Sequence, residues 1–242
     1  EEAGLDAATR RVGKRSKRRR QRSPSREEDS ESQDKVEEAA RKVAGWAEDS
    51  TKLQKWLDSR GGGVQQSLSE ANSGVVLLKD FFPLHIADAV LAVVEGLPEE
   101  AWELSEQGGE ADAARHRFWS ADICDVPELA ALRGVFWRML PSFNAEPTLP
   151  IFSCGRYGSS DHIGRHDDRA HVPFFNGGTV YSRTVAGIWY LTRDWSEEDG
   201  GCLVDLQALD AHGETSEKKI VPSYNSLALF EVPHWHAVSA VT

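Results

Sequence analysis

The hydrophobic positions change period midway along the chain. Gly74 to Phe82 is a short apolar run of strand character, and Pro83 opens a helix whose apolar side carries Ile86, Val90, Leu91, Val94 and Leu97. A second helix is expected after Pro127, built on Leu129, Leu132, Val135, Phe136 and Met139. Beyond Pro141 the helical spacing is lost. Pro150 to Tyr157, Val180 to Leu191, Cys202 to Leu206, Lys219 to Val232 and His236 to Val241 are short β-branched or aromatic runs, separated by Gly, Pro and Asp. Helices first and strands afterwards predict an α+β domain whose C-terminal part is a sandwich or barrel.

Upstream, Val36, Ala40, Val43, Ala47, Leu53, Trp56 and Leu57 recur every three or four residues, which predicts a helix or a broken helical pair from Asp34 to Asp58. Gly61-Gly62-Gly63 is expected to end it, and the polar stretch to Ser73 reads as a linker. The chain thereby divides into three regions: a disordered tail over 1–33, basic and then acidic; a helical segment with a Gly-rich linker over 34–69; and one domain over 70–242. The 242 residues, 40% of them hydrophobic, suffice for one sizeable core.

Charge sharpens this division. Residues 1–26 hold 10 Lys/Arg against 3 Asp/Glu, which leaves 18 against 36 for the remainder. Nine of the basic residues fall between Arg10 and Arg22. An acidic body repels phosphate backbones, so any nucleic-acid contact is confined to the arm, residues 10–26, which reads equally as a nuclear-import signal. Ser23 and Ser25 beside it are candidate phosphorylation sites. The three cysteines, Cys124, Cys154 and Cys202, are too dispersed for a zinc ribbon or a disulfide framework. With no apolar run of about 18 residues and no signal-peptide core, the expectation is a soluble protein of the nucleus or cytoplasm, with no membrane contact. The absent initial Met and the stop at Thr242, straight after an apolar alternation, predict a fragment at both ends.

The chemistry concentrates in two places. His166 and Asp168, two apart, project from one face if they lie on a strand, so an imidazole and a carboxylate can meet one metal. A His-x-Asp pair occurs by chance roughly 0.6 times in such a composition and needs context. His234 and His236 supply it, since a distant histidine completes a two-His-one-carboxylate facial triad with open positions for co-substrate and dioxygen. Spacing alone does not choose between His234 and His236, and the donor set does not by itself select iron over zinc.

The segments RYGSSDHIGRHDD (156–168), SRTVAGIWYL (182–191), DW (194–195), DGGCLVDL (199–206), VPSYNSLALFEV (221–232) and HAVSAV (236–241) together resemble the Fe(II)- and 2-oxoglutarate-dependent dioxygenases. Within that family the prolyl hydroxylase branch is most similar, especially the enzymes acting on a ribosomal protein. The resemblance implies a double-stranded β-helix (jelly-roll) core with flanking N-terminal helices. It implies His166, Asp168 and His236 as iron ligands, and places His234 beside them or in the pocket wall. Tyr157 and Tyr190 match tyrosines that reach 2-oxoglutarate, and Arg183 matches a substrate-facing arginine. Fe(II), 2-oxoglutarate and L-ascorbate are the implied cofactors. The cation that holds the far carboxylate of 2-oxoglutarate belongs beyond the last residue of this chain. Hydroxylation of a protein side chain, foremost a proline, is the implied activity, and the acidic body fits a basic target such as a ribosomal protein. A non-catalytic RNA- or protein-binding adaptor on the same scaffold is the alternative, and a metal protein without 2-oxoglutarate a third.

Overall fold

The chain is seen in a computed structural model that describes residues 26–70, 74–108, 115–122, 127–139, 151, 153–173 and 180–242. Residues 10–25 of the basic arm and Cys124 lie outside them. The α-helices among the described residues are α1 (Arg26–Glu48), α2 (Ser50–Glu70), α3 (Leu84–Glu95) and α4 (Pro127–Met139). The strands among these residues are interleaved: β1 (Val76–Leu78), β2 (Glu103–Gln107), β3 (His116–Ala121), β4 (Cys154–Arg156), β5 (His162–His166), β6 (His171–Pro173), β7 (Val180–Ser182), β8 (Val185–Tyr190), β9 (Leu203–Leu209), β10 (Thr215–Ile220), β11 (Ser226–Glu231) and β12 (His236–Val238).

Among the described residues every strand pairing is antiparallel. One sheet runs β1-β11-β8 and a larger one β10-β9-β12-β5-β3-β2, with β4 also against β3, while β6 and β7 form a separate ribbon. The expected α+β architecture is therefore present. Alternation along β11 explains how its layers assemble. Leu227 and Leu229 face a helical core that holds Val43 and Trp46 of α1, Leu53 and Trp56 of α2, Ile86 and Val90 of α3, and Leu129 and Leu132 of α4. Ala228 and Phe230 face the opposite way, into a cluster with Leu203 of β9 and Ile220 of β10. Both faces of β11 are buried, so its sequence reads as an unbroken apolar run rather than an alternating one.

Two expectations at the N-terminal side are corrected. The acidic run from Glu27 falls within α1, which begins at Arg26, rather than in a disordered tail. The triple glycine does not end a helix, because α2 continues through it to Glu70. Each glycine costs about 1 kcal/mol relative to alanine, but Trp56 before the triplet and Leu68 after it are both buried, and packing prevails over propensity. The segment before residue 70 shares one core with α3, α4 and β11 rather than standing apart as a linker. In α3, Val93 rather than Val94 completes the buried stripe. Strands β2 and β3 were not legible, since β2 is largely exposed and polar and is held by its ladder to β3.

An aromatic cluster joins the layers. Phe82 stacks on Trp56 at 5.0 Å and meets Trp189 edge-on at 4.7 Å. Asn225 ties down the backbone between these rings: its Nδ2 donates to Phe82 O at 2.7 Å, and its Oδ1 accepts from Phe82 N at 3.1 Å and from Trp189 Nε1 at 3.2 Å. Asn225 has φ +55°, a left-handed conformation that asparagine tolerates better than most residues. Asn225→Ala strands two buried backbone groups and adds strain, so a loss of about 3 kcal/mol is expected in urea unfolding. A loss below about 1 kcal/mol would mean that the rings alone hold this segment.

Candidate metal centre

The antiparallel pairing of β5 with β12 sets His166 directly opposite His236. Their rings lie 4.0 Å apart between centroids. Asp168 arrives differently from the expected strand period. Strand β5 stops at His166, and Asp168 adopts φ +58°, turning its carboxylate back toward the imidazoles. Asp168 Oδ1 lies 3.5 Å from His166 Nε2, and Oδ2 lies 3.6 Å from His236 Nε2. The three side chains bring one ligand atom each within 4.8 Å of one another.

Backbone carbonyls fix the tautomers. His166 Nδ1 is 2.9 Å from Gly164 O, and His236 Nδ1 is 2.7 Å from His234 O. A carbonyl oxygen only accepts, so each Nδ1 carries the proton and each Nε2 presents a lone pair toward Asp168. Burial pulls His166 down, but the Asp168 carboxylate and Gly164 outweigh it and its pKa rises. Burial pushes Asp168 up, yet His166, His236 and Arg183 leave it net lowered. His236 falls below its usual value, chiefly by burial. Two imidazole nitrogens and an ionised carboxylate, facing one another at separations longer than good hydrogen bonds, are a donor set suited to a divalent cation such as Fe(II). The centre opens on one side: His166 and Asp168 keep 25% and 21% side-chain exposure, against 3% for His236.

Around the triad, Arg183 Nη1 stands 3.5 Å from Asp168 Oδ1 at the exposed side. Asp167 and Arg169 pair with each other at 2.8 Å. Tyr190 packs into the sandwich interior with Phe230, whose ring lies 4.6 Å from that of His236. Tyr157 stacks on Phe118 at 5.3 Å. Burial, with Asp161 beside it, pushes the Tyr157 hydroxyl up to about 12, and burial together with Tyr157 raises Tyr190 as well, so both remain neutral hydrogen-bonding groups. His234 is buried next to the triad and bonds Asp205 at 2.8 Å rather than joining the ligand set. Residue type and spacing assign Asp205 no role. The available signal is a lone carboxylate within the apolar run Cys202 to Leu206.

Comparison with known proteins agrees with this geometry. Residues 152–242 match the family model described as the 2OG-Fe(II) oxygenase superfamily. The chain is 39% identical over 161 residues to prolyl 3-hydroxylase OGFOD1 of Xenopus laevis, covering 61% of this chain and 29% of that protein. It is 31% identical over 126 residues to the Mus musculus protein of the same name, covering 48% and 21%. The chain thus spans less than a third of the length of these relatives. A Pseudomonas putida prolyl-4-hydroxylase structure superposes with a TM-score of 0.54 at 20% identity, covering 74% of this chain and 91% of that one, which establishes the jelly-roll fold.

His166→Ala is expected to abolish Co(II) or Fe(II) binding with the circular dichroism spectrum unchanged. Binding should also weaken as pH falls, because a metal must displace the proton that His166 holds more firmly than an ordinary histidine. A loss of about tenfold per pH unit below the His166 pKa is expected in Co(II) titrations followed by absorbance.

Proposed function

We propose that this chain is an Fe(II)- and 2-oxoglutarate-dependent dioxygenase that hydroxylates a prolyl residue of a protein. The convergence of His166, Asp168 and His236 carries the reading. When bound, Fe(II) and 2-oxoglutarate supply the oxidation that places a hydroxyl on an unactivated carbon, with release of succinate and CO2. His166, Asp168 and His236 would hold the metal, and the side bordered by His166 and Asp168 would be left for the co-substrate. Tyr157 and Tyr190 provide neutral hydroxyls toward the co-substrate, and Phe230 keeps water from the buried imidazole. The proximity of Arg183 to Asp168 supports a role for it in contacting substrate. The name shared by the sequence relatives favours carbon 3 of the proline ring.

The target we propose is a basic protein, such as a ribosomal protein, because the chain after residue 26 carries 36 acidic against 18 basic residues. The arm over 10–26 is proposed to engage a nuclear-import receptor or RNA, consistent with a nuclear and cytoplasmic location, and L-ascorbate to serve as reductant. The adaptor reading is weaker: a scaffold without a metal has no need of three convergent donors with both tautomers fixed.

Anaerobic addition of Fe(II) and then 2-oxoglutarate tests the proposal. A weak visible charge-transfer band that requires both additions and is lost in His166→Ala is expected, followed by succinate release and a 16 Da gain on a proline-containing basic peptide. A folded protein that binds neither ligand would refute the enzymatic reading.

A further inference from the structure

His234 touches both segments that carry the metal-site residues. Its backbone N–H donates to the Asp167 carbonyl at 3.4 Å, one residue before Asp168, and its own carbonyl receives the Nδ1–H of His236 at 2.7 Å. Its ring is 1% exposed, and its Nε2 lies 2.8 Å from Oδ1 of Asp205, which is 2% exposed. Asp205 sits on β9 in register with His236, the neighbour of β12 on the side away from β5. The same carboxylate accepts the backbone N–H of Gln207 at 2.9 Å and that of Val75. Its position is thereby referred to two further stretches of main chain. Phe230 closes the other side, 5.3 Å from the His234 ring and 4.6 Å from the His236 ring.

A buried histidine–carboxylate pair is weak grounds for stability, because desolvation offsets most of the attraction and an apolar pair would fill the same volume. A directional bond does something that packing does not: it fixes the rotation of a side chain and the backbone attached to it. We propose that Asp205 and His234 form a positioning pair for the metal centre. The pair holds the His234 backbone so that one peptide unit fixes the tautomer and aim of His236 while the preceding N–H anchors the turn bearing Asp168. This inference rests on the reading of the triad as a metal centre. Neither residue is a catalytic residue, since neither touches the metal positions.

The test compares the parent chain with His234→Phe, which keeps the volume and loses the bond, and His234→Gln, whose amide can still donate to Asp205. Without metal, long-range proton–nitrogen spectra of the histidine rings should show a slowly exchanging Nδ1–H on His236 in the parent and in His234→Gln, and none in His234→Phe. With Co(II), His234→Phe should bind at least about tenfold more weakly and show an altered d–d band, with the glutamine variant close to the parent. Should His234→Phe not fold, His234→Leu is read in the same way, because it is closer to histidine in volume and likewise carries no group that can bond Asp205 Oδ1. A protected His236 proton and parental Co(II) affinity in His234→Phe would overturn the proposal. So would equal losses in the phenylalanine and glutamine variants, which would indicate packing alone. A parent that keeps the protected proton but binds no Co(II) would instead refute the metal-centre reading, leaving the placement of the His236 ring established.

Discussion

Burial of β11 on both faces is the constraint on which the other layers depend. A strand with one wet face could be covered by helices or by a second sheet, whereas Ser226–Glu231 requires both at once. Leu227 and Leu229 draw α1 to α4 onto one side, and Ala228 and Phe230 draw β9 and β10 onto the other. The N-terminal helices consequently pack against the same strand that the sandwich buries. The ring that closes the metal site, Phe230, is the immediate neighbour of a residue in the helical core.

The site itself depends on a second pairing. Strands β5 and β12 are adjacent only because the larger sheet places late strands beside early ones, and their register sets His166 against His236. Strand geometry delivers the two imidazoles, and a single left-handed residue delivers the carboxylate. Asp168 thus reaches the centre by leaving the sheet. A carboxylate carried on a turn can meet both rings at 3.5 and 3.6 Å without distorting the ladder that positions them.

Much of this architecture is legible in the amino-acid pattern. Periodicity locates α3 and α4 and most of the late strands, because their apolar positions are read directly by a core. Residue type and spacing single out His166, Asp168 and the His234/His236 pair, and the resemblance chooses His236, although a strand period is the wrong reason for pairing His166 with Asp168, since a turn brings them together. What escapes reading is set by neighbours rather than by local pattern. Strand β2 exists through its ladder to β3, helix α2 survives three glycines because Trp56 and Leu68 are buried on either side, and the partnership of Asp205 with His234 spans residues whose proximity only the sheet order reveals.

The unequal exposure of the three donors gives the centre a direction. His236 is locked among Phe230, His234 and the backbone, while His166 and Asp168 border solvent. An arriving ion would meet the two outer donors before the inner imidazole, which is already aimed by its backbone partner. On that reading the outer pair would govern how fast the centre loads, and the inner donor how long the load stays.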